Sequence, residues 1–182
     1  MKQAIPALAH LAEGIGDRQV RNMGTIGGSI ANADPAADWP AAVLALDASV
    51  VTNKRRIAAD QFFTGMYETA LGADEIVVSV SFPIPRKAAY AKFPNPASRF
   101  ALVGVFVAQT ANGARVAVTG AAPKPFRCKP LEDALAKSWS AATAKGVKVD
   151  AGGLNTDLHG SAAYRAHLIA VMAARAVEAA GG

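Results

Sequence analysis

The sequence has 182 residues, 52% of them hydrophobic and 18% charged, which supplies one or two compact units with a buried core. Its longest apolar runs, Phe100 to Ala108 and Leu168 to Ala174, fall far short of the roughly 20 residues of a membrane-spanning helix, and Met1 to His10 show no signal-peptide pattern, so the reading is a cytoplasmic globular chain without membrane insertion. The formal charge of +5 does not mark a nucleic-acid binder, because the cations are scattered, Lys54, Arg55 and Arg56 forming the only run, and aromatic platforms are lacking.

In chain order, Ile5 to Ala12 predict a short amphipathic helix. Gly14, Gly16, Gly24, Gly27 and Gly28 then predict a long loop, since glycine favours neither helix nor strand. Asp38 before Trp39-Pro40 sets an acceptor side chain at a cap and proline in the first turn, which predicts a helix from Trp39 to Leu46. From Ala48 the residues become β-branched: Val50 to Thr52 predict one strand and Glu75 to Phe82 another, closed by Pro83 and Pro85. Between them, Ala59 to Leu71 read as a short helix and a loop. Ala88 to Phe93, Phe100 to Thr110 and Ala114 to Ala121 read as further strands, the last two joined at Asn112-Gly113 by a type I′ turn. Beyond Pro125 the pattern is helical: Lys129 to Lys137, Ser140 to Lys145, and a long last helix from Ser161 with Tyr164, Leu168, Val171 and Met172 on one face. The fold class is therefore α+β, with a helix-and-loop entry, an antiparallel sheet across Val50 to Ala121, and helices from Lys129 covering one of its faces.

A single cysteine, Cys128, allows neither a disulfide framework nor a Cys-ligated iron–sulfur cluster within the chain, so any such cluster belongs to a partner. His10, His159 and His167 form no close ligand pair and HExxH is absent, which argues against a metal site. No nucleophile–base constellation stands out, so no catalytic side chain is assigned. The chemistry concentrates in Gly24-Thr25-Ile26-Gly27-Gly28-Ser29, where two residues without Cβ let backbone N–H groups approach a ligand and hydroxyls stand on either side, as a pyrophosphate requires. A Gly-Gly pair is also an ordinary tight turn, and on physical grounds more often so. No Gly-Lys-Ser/Thr follows, and Gln19 stands where the third glycine of a dinucleotide fingerprint belongs, so the familiar nucleotide motifs are excluded. Arg18 and Arg21 beside this segment suit an anionic cofactor.

The longer string from Gln19 to Pro40 closely resembles the second FAD-binding segment of the medium, flavin-carrying subunit of molybdenum hydroxylases, the family of carbon monoxide and xanthine dehydrogenases. Further resemblances follow in order at Phe62-Phe63-Thr64-Gly65, Asp74 to Val77, Tyr90-Ala91-Lys92-Phe93 and Ser161 to Arg165, so nearly the whole chain is covered. The resemblance implies two domains: residues 1–86, the second lobe of an FAD-binding domain, and residues 87–182, a sheet-and-helix C-terminal flavoprotein domain of the carbon monoxide dehydrogenase type. It also implies that Thr25, Gly27, Gly28 and Ser29, with Ile26 between them, bind the FAD phosphates, and that Asp38 accepts hydrogen bonds from the cofactor's sugar-chain hydroxyls. Ile15 and Val77 match apolar residues packed on the cofactor, Lys92 a lysine near the flavin, and Phe100 the place of a tyrosine that faces the isoalloxazine. On local grounds Asp38 equally reads as a helix cap and Lys92 as an exposed strand lysine.

By the same resemblance, the chain serves electron transfer: electrons from 2Fe–2S clusters of a small subunit, fed by a large molybdopterin subunit, reach FAD and then an acceptor. Family members open with a βαβ-type lobe carrying a first FAD segment, and Met1 stands shortly before the second. The expectation is an FAD site without that lobe, weak affinity in these 182 residues, and self-association through the uncovered cleft. The alternative is an assembly or interaction module that no longer binds FAD.

Overall fold

The computed structural model describes residues 2–182. The chain opens with α1 (Pro6–Glu13), α2 (Arg18–Met23), α3 (Ile26–Asn32) and α4 (Trp39–Ala45). The glycine-rich stretch, expected as one loop, thus folds into α2 and α3. Asp17 accepts from the N–H groups of Gln19 and Val20 at 2.9 Å and starts α2, and Thr25 accepts from Gly28 at 3.0 Å and starts α3. A cap worth about 1 kcal/mol and the full burial of Ile30 together offset the roughly 1 kcal/mol that each glycine costs in a helix. Every residue of α4 is buried, and it forms the centre of the N-terminal core.

Next come β1 (Ser49–Thr52), β2 (Arg56–Ala58), α5 (Ala59–Phe62), β3 (Phe63–Gly65), β4 (Glu68–Thr69) and β5 (Val77–Ser81). β1 lies between β2 and β5 in an antiparallel three-stranded sheet, and β3 pairs with β4. A second antiparallel sheet has the order β6 (Lys87–Pro94), β7 (Ala101–Thr110), β8 (Gly113–Thr119), β9 (Phe126–Arg127). The single sheet expected across Val50 to Ala121 is therefore two main sheets. Pro83 and Pro85 lack the N–H a ladder needs, so the chain leaves the first sheet there before starting β6. The turn between β7 and β8 also differs from the expected type I′. Only Gly113 there has positive φ (+109°), whereas that turn type requires two such residues; the Thr110 hydroxyl braces the turn by accepting from Asn112 and donating to the Gly113 carbonyl.

The chain closes with α6 (Lys129–Lys137), α7 (Ala141–Gly146), capped by Ser140, and α8 (Ala162–Ala179), capped by Ser161. These helices pack on one face of the second sheet against Ala89, Val103, Val105, Val107, Val116 and Val118. The other face is covered as well. Tyr90, Phe106, Ala108 and Ala117 point into the N-terminal core beneath α1 and α4. The expected one-sided cover is thus two-sided, and the cause lies in β7: both alternating residue sets of Ala101 to Ala108 are apolar, so both faces must be withdrawn from water.

Polar bonds fasten the two layers. The Thr119 hydroxyl donates to the carbonyls of Pro35 (2.8 Å) and Ala37 (2.6 Å), and Gly120 N–H donates to Pro35 at 2.7 Å. Arg115, 7% exposed, donates twice to the Leu44 carbonyl at the end of α4 and pairs with Asp47 and Asp60. On the other side Arg165 of α8, 2% exposed, donates to the carbonyls of Leu102 (2.8 Å) and Gly120 (3.0 Å) and to Asp157 (2.7 Å).

At the end of β1, Glu75 accepts from the Thr52 hydroxyl (2.7 Å), from Arg55 Nε and Nη2 (3.0 Å each) and from Gly72 N–H (3.0 Å). The Arg55 bonds above all, then those from Gly72 and Thr52, hold its carboxyl down to about 2. A carboxyl depressed in the fold contributes stability that is complete above its unfolded value of about 4.3 and is lost as pH falls toward the folded value. Glu75→Gln is therefore expected to lower the thermal midpoint at neutral pH and to flatten its decline between about pH 4.5 and 2. Melting curves across that range check this; an unchanged acid slope would show that Glu75 does not carry it.

Candidate functional site

α1, α2, α3, the start of α4 and the β6–β7 turn surround a cleft of about 530 Å³. Of the residues singled out in the sequence, Ile15, Thr25, Ile26, Gly28, Ser29, Asp38 and Phe100 line it. Gly27, Val77 and Lys92 stand behind its surface. Val77 lies under α3, where a Cβ on Gly27 would meet its Cγ1 at 3.7 Å, and it joins the N-terminal core. The glycine pair sits in the first turn of α3 rather than in a loop. Gly28 N–H is taken by the Thr25 hydroxyl, whereas Ile26 and Gly27 have no intrahelical carbonyl within reach of their N–H groups.

Asp38 occupies the N-cap position of α4, yet its side chain makes no cap bond; helical backbone angles (φ −77°, ψ −42°) turn it away from the helix N–H groups. It goes to β6 instead. One oxygen accepts from the Tyr90 hydroxyl and the other from Lys92 Nζ at 3.1 Å. Lys92 is no exposed strand lysine: its side chain is 11% exposed and also donates to the Gly14 carbonyl at 2.8 Å. Burial raises the Asp38 carboxyl above the usual range, against the pull of Lys92 and Tyr90, and burial together with Asp38 pushes the Tyr90 phenol well above its ordinary value. Tyr90 thus stays a donor at neutral pH.

The Tyr90 hydroxyl reaches Asp38 across Gly104, where a Cβ would lie 2.2 Å from the phenol oxygen and 2.9 Å from Thr119 Cγ2. Gly104→Ala is expected to displace the ring and cost about 1–3 kcal/mol, as overpacking does. Urea unfolding at constant m-value measures it, and a loss below a few tenths would show that the ring yields freely.

The β6–β7 turn supplies, beside Phe100, two cleft residues that the sequence alone did not reveal, Ser98 and Arg99. Asn95 Oδ1 accepts from Ala97 and Ser98, Arg99 is held at φ +63° by its N–H bond to the Asn95 carbonyl, and Ser98, Arg99 and Phe100 are thereby presented to the cleft. Arg21 also lines it, tied to the carbonyls of Ile15 (2.8 Å) and Gly16 (3.3 Å). Asn32, Asp34 and Trp39 complete its polar and aromatic lining. Tyr90 was legible in principle, because residues two apart in a strand share a face and Tyr90 therefore accompanies Lys92.

The lining combines amide and hydroxyl donors, two guanidinium groups, a buried carboxylate, and the apolar surfaces of Ile15, Val20, Ile26 and Phe100. A flavin dinucleotide needs such a set: donors for phosphate, an acceptor for sugar hydroxyls, apolar surface for rings. The FAD binding domain in molybdopterin dehydrogenase fits residues 1–85, and the CO dehydrogenase flavoprotein C-terminal domain fits residues 88–180. The chain belongs to the FAD-binding medium subunits of the molybdenum hydroxylases. It is 36% identical to the nicotine 6-hydroxylase medium subunit of Paenarthrobacter nicotinovorans, matching 97% of this chain and 68% of that one. With the carbon monoxide dehydrogenase medium chain of Hydrogenophaga pseudoflava it shares 33% identity over 97% of this chain and 67% of the relative. A solved structure of carbon monoxide dehydrogenase from the same organism superposes with a TM-score of 0.84 at 34% identity, over 99% of this chain and 69% of that one. This FAD-subunit chain therefore spans about two thirds of the relatives it matches.

Among the described residues, no helix is long and apolar enough to cross a membrane, and no group of three or more His, Cys, Asp or Glu side chains is placed to hold a metal.

Proposed function

We propose that this chain is the FAD-binding, electron-transferring part of a molybdenum-containing hydroxylase or dehydrogenase. It works beside a large molybdopterin subunit and a small iron–sulfur subunit, with residues 1–86 as a lobe of the FAD domain and residues 87–182 as the C-terminal flavoprotein domain. The observation that carries this reading is the gathering of seven singled-out residues into one cleft whose donors suit a flavin dinucleotide. Bound FAD would supply the redox chemistry, taking electrons from a partner's 2Fe–2S clusters and handing them to an acceptor. The protein's part is to hold and tune it. Ser29, Thr25 and the first N–H groups of α3 bind phosphate oxygens, Asp38 accepts from the sugar chain, and Ile15 and Phe100 pack on ring surface.

A second reading has its own support. Met23 is 87%, Val20 51% and Phe100 48% exposed, so much of the apolar lining faces water. Such a surface suits an assembly module covered by a partner or a second copy. Purified protein distinguishes the two: a stoichiometric absorbance band at about 450 nm, or saturable uptake of added FAD, supports the flavoprotein. No uptake at millimolar FAD, with dimers in sedimentation, supports the module.

A further inference from the structure

We infer that Tyr90 is a positioning residue of the cofactor site: its hydroxyl, passed across Gly104, and Lys92 from the same strand fix the Asp38 carboxylate in the cleft floor to accept a cofactor hydroxyl. This rests on the FAD reading proposed above. Four observations converge on it. Asp38 sits at a helix N-cap and does not cap, although capping is the usual use of an aspartate there. Both of its oxygens are held from β6 while it still lines the cleft. Tyr90, 5% exposed, spends its only polar group on Asp38, and its ring is stacked on Phe106 at 6.1 Å, so the hydroxyl has one direction to point. Gly104 leaves the space that this direction requires.

The same device fixes part of the cleft's rim. Lys92 bonds the Gly14 carbonyl as well as Asp38, and Arg21 and Arg99 donate to the carbonyls of Ile15 and Gly16. The floor carboxylate and Gly14 are thereby tied to the same lysine of β6, and the Ile15–Gly16 backbone is held beside them by Arg21 of α2 and Arg99 of the β6–β7 turn. An acceptor held in one rotamer binds without first being ordered.

The charged and titratable groups around Asp38 are Lys92 and Tyr90 in direct contact, with Asp34, Arg21 and Arg99 on the same cleft. Removing the Tyr90 donor leaves burial opposed by Lys92 alone, so the carboxyl should protonate at higher pH. The experiment follows the Asp38 carboxyl carbon by NMR through a pH titration of the folded chain, and titrates FAD calorimetrically, in wild type, Tyr90→Phe, Lys92→Met and Asp38→Asn. Tyr90→Phe is expected to raise the Asp38 midpoint, and Lys92→Met to raise it further. FAD binding should weaken about ten-fold or more in Tyr90→Phe at neutral pH and lose its dependence on the Asp38 midpoint in Asp38→Asn. Lys92→Met attacks the same carboxylate from its more accessible side, so the question stays answerable should Tyr90→Phe fold poorly. An unmoved Asp38 midpoint, or equal FAD affinity in wild type and a folded Tyr90→Phe, overturns the positioning role alone. Failure of the wild type to bind FAD at any concentration overturns the cofactor reading and this inference with it.

Discussion

A polypeptide of these 182 residues is expected to bind FAD no more tightly than the micromolar-to-millimolar range. The donors of the cleft come from α3, Arg21 and the β6–β7 turn, and its apolar lining is open enough to leave Met23 87% exposed. A ligand site usually buries most of its ligand's surface. Relative to such an enclosing site, an open cleft that leaves ring surface uncovered and makes a few charge-assisted hydrogen bonds fewer would bind about 5–10 kcal/mol more weakly, which moves a nanomolar site into the stated range. The phosphate contribution should also fall with added salt, because Arg21 and Arg99 lie near the surface. Fluorescence or calorimetric titration settles the matter. Submicromolar, stoichiometric binding would show that the open cleft suffices.

The second large effect is expected at Arg165. Replacing it by Met keeps the volume of the stem but strips the Leu102 and Gly120 carbonyls of their buried donor and leaves Asp157 unpaired. Each orphaned buried carbonyl costs about 1–3 kcal/mol, so the change should cost about 3–5 kcal/mol in all. For a chain of this size that lowers the melting midpoint by roughly 6–20 °C. Asp157, half exposed and hydrogen-bonded also by the N–H groups of His159 and Gly160, can return to water. Asp157→Asn leaves the buried Arg165 cation its two carbonyl partners, so it should cost less than Arg165→Met, though not nothing, because the cation loses its counter-charge. Equal losses from the two substitutions would show that the ion pair, not carbonyl satisfaction, is what Arg165 provides.

Legibility followed the length and the punctuation of each element. α6 appears over Lys129–Lys137 as read, and α8 starts behind the Ser161 cap, because a cap and sustained periodicity agree there. α2 and α3 were hidden by glycine content, although Asp17 and Thr25 were the readable signals of their starts. β2, β3, β4 and β9 have two or three residues each, too few for an alternation to register. In the cleft, the residues between Thr25 and Asp38 form one near-continuous string and could be read together. Arg99 and Gly104 could not, since one owes its place to a left-handed turn residue and the other to a contact with a ring fourteen positions earlier in the chain.

The second sheet, clothed on one side by the first third of the chain and on the other by the last, makes the boundary near residue 86 a division of sequence and not of matter. Hydrogen exchange within β7, whose two faces are both covered and whose edges pair with β6 and β8, is expected to be slow and to respond to loosening of either covering. A chain in which residues 1–86 were exchanged for a relative's would set Tyr90, Phe106, Ala108 and Ala117 against an ill-fitting α1 and α4. A change of side-chain volume on one side of that joint is therefore expected to need an answering change on the other.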